Sequence, residues 1–215
     1  SASPWFTDLM PRRDPALERT QPTAPIRVCL LSLGCAKNLV DSEVILGRVG
    51  EQGLAVASRP EDADVIVVNT CGFIGSAREE SVDTILRMCE LKEASGGPRK
   101  VVVAGCLGQR YGEELRKEIP EVDAIIGLGE YAEFGRIVRD LFRAEDDGSA
   151  RGGPLVQVGD PTRACHAEVG RFRLTPPHFA YVKISEGCDN PCTFCAIPAI
   201  RGRFRSKPIP EIRRA

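Results

Sequence analysis

The sequence predicts an α/β fold whose N-terminal part is a doubly wound parallel sheet. Short apolar runs alternate there with amphipathic stretches, which is the pattern of parallel strands covered by helices. The clearest runs cover residues 28–33, 65–68 and 101–104, with weaker ones at 54–57 and 124–126. We therefore expect a flavodoxin-like or Rossmann-like unit over residues 26–144.

Two stretches between these runs have the periodicity of amphipathic helices. Their apolar side chains recur at the i, i+3, i+4, i+7 spacing, which places them on one helix face. The two sets are Val82, Ile85, Leu86 and Cys89, and Phe134, Ile137, Val138 and Leu141. We expect both faces to pack on the sheet.

Three further segments flank this unit. Residues 1–25 contain five prolines and no periodicity, so they are expected to form a disordered, mobile leader. Residues 145–177 begin acidic and then Gly-rich, which favours a linker. A strand signal at 179–184 introduces a second module over residues 178–215. We expect this module to be truncated, because the chain stops at Ala215 on the approach to a helix.

Charge and hydropathy argue against several classes of protein. The chain has 29 Lys+Arg and 30 Asp+Glu, so its formal net charge is -1 and it has no overall basic field to hold nucleic acid by phosphate neutralisation. No apolar run approaches the roughly 20 residues that a membrane span needs, and the start lacks the plan of a signal peptide. We expect a cytoplasmic protein with no membrane contact.

The nine cysteines are the most informative residues. Their odd number and irregular spacing fit a disulfide scaffold poorly, and grouped cysteines in the cytosol more often bind metal. The two histidines, His166 and His178, lie apart from one another and from most cysteines, which favours all-thiolate ligation over a Cys/His zinc site. Cys165 is assigned no role.

Cys35, Cys71 and Cys106 each stand just past the C-terminal end of a predicted strand, at the edge where parallel sheets place their ligand sites. They are spaced 36 and 35 residues apart, about one strand-helix-strand period. Three thiolates that converge there can hold three irons of a cubane cluster and leave the fourth open. The alternative is that they are small buried hydrophobic residues, which is how we interpret Cys29 and Cys89.

Cys188, Cys192 and Cys195 form a CxxxCxxC run, the most specific signal in the chain. Three thiolates on one short loop can ligate three irons of a 4Fe-4S cluster and leave one iron open to a cofactor. The alternative is a structural zinc site. Such a site requires a fourth protein ligand, and no cysteine or histidine follows Cys195.

This run resembles the signature of the radical S-adenosylmethionine enzymes. The resemblance implies that the methionine amino and carboxylate groups of the cofactor bind the open iron. It implies that Phe194, just before the last cysteine, lies near the adenine. It also implies reductive cleavage to a 5'-deoxyadenosyl radical that abstracts hydrogen from an unactivated carbon.

The N-terminal unit is similar to that of the methylthiotransferases within this superfamily. The segments GCAKNLVDSE, NTCGFI and GCLGQRY around the first three cysteines carry the resemblance, which covers about residues 27–212. It implies that these cysteines hold an auxiliary 4Fe-4S cluster that binds or donates sulfur. It further implies that a methylthio group is inserted into a C-H bond.

The methylthiotransferases have two main branches, which act on an aspartate of small-subunit ribosomal protein S-twelve and on tRNA adenosine. The sequence segments AKNLVDSE, KISEG and AIPAIRG resemble those of the ribosomal-protein (RimO-type) branch. The tRNA branch usually has a Gln and an Asn shortly after its first cysteine. The resemblance therefore implies a ribosomal protein substrate, a reductant protein, two 4Fe-4S clusters and S-adenosylmethionine. The tRNA adenosine enzyme is the alternative.

A full enzyme of this family continues through a partial TIM-like barrel and a small RNA-binding-type domain. The second module would then be the start of a truncated barrel, and the fragment is not expected to turn over alone. Its basic stretch from Arg201 to Lys207 either contacts ribosomal RNA or an acidic substrate segment, or is a solvated face. A non-catalytic electron carrier is the rival from another class, but such carriers usually have four cysteine ligands for each cubane.

Overall fold

The structure of the chain, a computed structural model, describes residues 24–94, 96–146, 152–162 and 170–213. Its six-stranded sheet consists of β1 (Arg27–Ser32), β2 (Ala55–Val56), β3 (Val65–Thr70), β4 (Lys100–Gly105), β5 (Ala124–Ile126) and β6 (Leu155–Gln157). All pairs are parallel, in the order β2-β1-β3-β4-β5-β6. This confirms the predicted α/β fold. The order of the first five strands is the flavodoxin-like one.

Four helices cover the two faces of the sheet. The amphipathic face predicted for residues 134–141 is buried, whereas in the face predicted for residues 82–89 Ile85 and Cys89 are buried and Leu86 is 43% exposed. The helices are α1 (Ala36–Glu51), α2 (Gly75–Glu93), α3 (Cys106–Glu118) and α4 (Phe134–Asp146). Side chains of α1 and α4, such as Ile45 and Phe134, share one core with Val67 of β3. On the other face, Ile85 of α2 packs in a second core with Val68 of β3.

The fully buried strand β3 explains why the fold is doubly wound. Its sequence VIVVNT has no polar residue until the end, and all six positions are buried. Successive side chains of a strand point to opposite faces, so Val65 and Val67 enter one core while Ile66 and Val68 enter the other. A strand that is apolar on both faces is stable only when helices cover both.

The second module differs from the sequence prediction in its strands. The strand predicted at 179–184 is absent, and a short antiparallel pair forms instead between β7 (Ser185–Glu186) and β8 (Arg205–Ser206). A strand needs a neighbour for its backbone hydrogen bonds, and no described residue pairs with 179–184 as a strand. Two short helices, α5 (Ile197–Arg201) and α6 (Ile209–Ile212), complete this module, and the predicted barrel stays a prediction.

The segment predicted as a linker, residues 145–177, contributes β6 to the edge of the sheet. Leu155 to Gln157 pair in register with Ala124 to Ile126 of β5. Residues 1–23 of the predicted leader, and Cys165, lie outside the described residues. Within the described part of the chain, no helix is both long enough and apolar enough to cross a membrane.

Candidate metal centre

The first three predicted ligands lie around one cavity at the C-terminal edge of the sheet. Cys35 follows β1 and is the N-cap of α1, Cys71 follows β3, and Cys106 follows β4 as the first residue of α3. All three line a cavity of about 800 Å³. Their positions follow from the topology, because β1, β3 and β4 are neighbours whose carboxyl ends meet at this edge.

Glycines let the three cysteine-bearing loops approach one another. Gly34 has a φ of 86°, and a Cβ atom there would lie 2.7 Å from the Cβ atom of Cys71. A Cβ atom at Gly72 would lie 2.7 Å from the carbonyl oxygen of Cys106. Side chains at these positions would therefore force the loops apart. The glycine requirement arises from contact between loops that are more than 30 residues apart in sequence.

Buried amides hold the loop after β1 against the end of β3. The Asn38 amide donates to the carbonyl oxygens of Leu33 at 2.7 Å and Asn69 at 3.1 Å. The Asn69 amide donates in return to the Asn38 carbonyl oxygen at 2.9 Å and to Ser42 Oγ at 2.7 Å. Sequence reasoning missed these two asparagines, although each lies within three residues of a cysteine. They fix the relative positions of Cys35 and Cys71.

The three thiols differ in their surroundings. Cys71 and Cys106 are buried, whereas Cys35 is exposed at the mouth of the cavity. Burial raises the pKa of the Cys106 thiol, and the Arg201 guanidinium, which donates to Cys106 Sγ at 3.3 Å, partly offsets that effect. An all-sulfur donor set around an open cavity fits the ligand chemistry of an iron-sulfur cluster.

Four buried charged side chains connect α1 to the second module beside this cavity. Asp41 accepts from Lys183 Nζ at 2.5 Å and from Arg201 Nη2 at 2.8 Å. Glu186 Oε2 accepts from Arg201 Nη1 at 2.9 Å and lies 3.1 Å from Lys183 Nζ. We call these four residues the buried ion network. Each of its cations contacts both of its carboxylates.

Ion pairing offsets the effect of burial on the pKa values of Glu186, Lys183 and Arg201. Burial by itself raises the pKa of Glu186, but Lys183 and Arg201 outweigh it and lower that pKa to about 2. Burial by itself lowers the pKa values of Lys183 and Arg201. Asp41 and Glu186 reverse that effect and hold both pKa values above their ordinary range. The network therefore consists of two carboxylates and two cations that are buried and paired with one another.

The buried ion network corrects the sequence interpretation of the basic stretch from Arg201 to Lys207. Arg201 is 3% exposed and Lys207 is 5% exposed, so neither belongs to a solvated or nucleic-acid-binding face. Arg203 is exposed and Arg205 is partly buried. Charge pattern alone could not have identified the partner of Arg201, because Asp41 lies 160 residues earlier in the chain.

The second set of cysteines lies on an open loop after β7. The Cys188 amide donates to the Gly202 carbonyl oxygen at 3.1 Å, and the Cys195 amide donates to the Cys192 carbonyl oxygen at 3.1 Å. Cys192 is exposed, and Phe194 is 86% exposed. These contacts form a tight turn at Cys192 to Cys195. They leave the thiols and the Phe194 ring accessible to a ligand.

The described residues contain no group of three or more His, Cys, Asp or Glu side chains placed to hold one metal ion.

Cys29 and Cys89 lie in the core between α2 and the sheet, away from the cavity. Burial raises the pKa of the Cys29 thiol and is the main cause that raises the pKa of Cys89 to about 11. Unlike Cys106, neither residue lines the cavity. We predict that Cys29→Ala and Cys89→Ala each leave the iron and sulfide content of the reconstituted chain unchanged. Each should cost on the order of 1 kcal/mol of packing energy. Metal analysis checks this, and loss of iron in either variant would contradict it.

The chain is similar in sequence to one family model and to several curated proteins. A family model described as "Uncharacterized protein family UPF0004" matches residues 27–127. A ribosomal protein uS12 methylthiotransferase RimO from Myxococcus xanthus is 50% identical over 190 residues, 88% of this chain and 38% of the relative. The enzyme of the same name from Clostridioides difficile is 43% identical over 187 residues, 87% of this chain and 40% of the relative.

A third relative of that name, from an Anaeromyxobacter species, is 50% identical over 189 residues, 88% of this chain and 38% of the relative. The chain spans about two fifths of the length of the curated relatives it matches. The matched region contains the UPF0004 segment and extends beyond it. The chain therefore matches the UPF0004 family model over residues 27–127 and is similar to curated RimO methylthiotransferases over most of its own length.

Proposed function

We propose that this chain is part of a radical S-adenosylmethionine methylthiotransferase that inserts a methylthio group into a C-H bond of an aspartate of ribosomal protein uS12. The observation that carries the proposal is the cavity lined by Cys35, Cys71 and Cys106 in a chain 50% identical to an enzyme with that name. Three thiols at the carboxyl edge of a parallel sheet suit an auxiliary cluster.

Two 4Fe-4S clusters are assigned by this proposal. Cys35, Cys71 and Cys106 would hold the first cluster, and the second would be held by the loop that carries Cys188, Cys192 and Cys195. The accessible Phe194 ring would contact the adenine of the cofactor. With S-adenosylmethionine bound, the second cluster would supply the reducing electron for cleavage of the cofactor. The protein's own contribution is to hold the two sets of thiols at a defined separation.

The proposed assignment also includes a reductant protein as electron donor and a location in the cytoplasm. The tRNA adenosine alternative receives no support from the relatives compared above, all of which are named for uS12. The electron-carrier alternative would require a fourth thiolate for each cluster. Each of the two cysteine sets supplies three.

The test is deletion of the complete gene, followed by mass spectrometry of ribosomal protein uS12 and of digested tRNA. We expect the uS12 aspartate to lose its methylthio mass increment and the tRNA nucleosides to stay unchanged. Complementation with the wild-type gene or with the Cys89→Ala variant should restore the increment. The Cys106→Ala variant should not restore it. Loss of a tRNA methylthio nucleoside with intact uS12 modification would overturn the substrate assignment.

A further inference from the structure

Arg201 is the one member of the buried ion network that the structure places in hydrogen-bond contact with a cysteine. It belongs to α5 in the second module, yet its guanidinium donates to Cys106 Sγ at 3.3 Å in the N-terminal unit. The same guanidinium contacts Asp41 at 2.8 Å and Glu186 at 2.9 Å. One side chain therefore connects a carboxylate of α1, a carboxylate of β7 and a thiol at the cavity.

The geometry of this contact suits arginine and not lysine. A guanidinium presents five N-H donors in a rigid plane and can meet several acceptors at once. Lys183 already occupies the other side of the same two carboxylates. A lysine at position 201 would keep the charge, but its single nitrogen could not reach both carboxylates and the sulfur in the same geometry.

The charge balance around Cys106 depends on Arg201. The buried ion network contains two carboxylates and two cations, and Lys37 Nζ lies 3.5 Å from Glu186 Oε1 beside it. Removal of the guanidinium would take away the positive charge that contacts Cys106 Sγ. In a buried site such a charge acts strongly, because little water screens it.

We propose, on the basis of the function proposed above, that Arg201 is a positioning residue that raises the reduction potential of the cluster held by Cys35, Cys71 and Cys106. The physical reason is that a reduced cluster carries one more negative charge, which is spread partly over the ligating sulfurs. A cationic donor at one of those sulfurs stabilises the reduced form more than the oxidised form. The donor comes from the second module, so the potential of the first cluster depends on the contact between the two modules.

The experiment measures the reduction potential of the first cluster by electron paramagnetic resonance at set potentials. The chain carries Cys188→Ala, Cys192→Ala and Cys195→Ala, so that only the first cluster contributes to the signal. Arg201→Lys should shift the potential to a more negative value. Glu186→Gln should shift it to a more positive value, because it removes a negative charge and leaves the guanidinium in place.

Arg171→Lys is the matched control. Arg171 also pairs with a buried carboxylate of α1, Glu43, but among the described residues it makes no hydrogen bond to a cysteine. Its replacement should leave the potential unchanged. Iron-loaded Arg201→Lys and Glu186→Gln variants with the potential of the parent, or with shifts of the same sign, would overturn the inference. A wild-type chain that binds no iron would instead overturn the proposed function.

Discussion

Replacement of Cys188, Cys192 and Cys195 together by Ala is expected to halve the iron content of the anaerobically reconstituted chain, from about eight to about four atoms. The reason is that the two sets of thiols lie on different parts of the fold. Cys35, Cys71 and Cys106 line the cavity at the sheet edge, whereas the second set lies on the loop after β7. Iron and sulfide analysis of each variant gives the result directly.

The reciprocal variant, with Cys35, Cys71 and Cys106 replaced by Ala, serves as the matched control. It should also retain about four iron atoms, held by the second loop. A triple variant of either set that lost all iron would contradict the assignment of two independent clusters. Zinc without iron or sulfide in the wild-type chain would favour a structural metal site.

Asp41→Asn is expected to lower the free energy of unfolding of the apo chain by about 3–5 kcal/mol, which is the cost of breaking a buried ion pair by removing one partner. Asp41 is 3% exposed and contacts both Lys183 and Arg201. The neutral amide would leave those two buried cations with Glu186 as their remaining carboxylate in the network. Urea denaturation followed by circular dichroism measures the loss.

Asp140→Asn in α4 is the control for this prediction. Asp140 makes the same type of contact, with Arg136 at 3.0 Å, but the two side chains are 35% and 52% exposed. Exposed pairs of this kind contribute at most about 1 kcal/mol, so its replacement should leave stability nearly unchanged. An Asp41→Asn variant as stable as Asp140→Asn would show that the buried ion network contributes nothing to stability.

Local pattern was sufficient to predict the main elements of the fold. The apolar runs that became β1, β3 and β4 are long and bounded by polar residues, and α4 has clear helical periodicity. The periodicity of α2 is weaker, and Leu86 of its predicted face is exposed. Parallel topology then requires the three strand ends to meet. For this reason the positions of Cys35, Cys71 and Cys106 around one cavity could be anticipated from their spacing alone.

The local sequence pattern did not predict elements whose structure depends on a partner that is distant in the chain. The strand predicted at 179–184 is absent because apolar alternation does not supply a neighbouring strand, and β6 was missed because three residues give too little periodicity. The basic stretch from Arg201 to Lys207 looked like a surface feature. In the fold, both of its ends are buried.

The sequence by itself determined the central strands of the sheet, the positions of α2 and α4, and the two sets of cysteines, because these follow from hydrophobic periodicity and from the ligand chemistry of thiols. Only the tertiary structure decided which charges surround Cys106. The four members of the buried ion network are of types that usually lie at the surface. Their burial is stable because the two carboxylates, Asp41 and Glu186, each pair with the two cations, Lys183 and Arg201. That meeting joins residues up to 160 positions apart, which no local sequence pattern encodes.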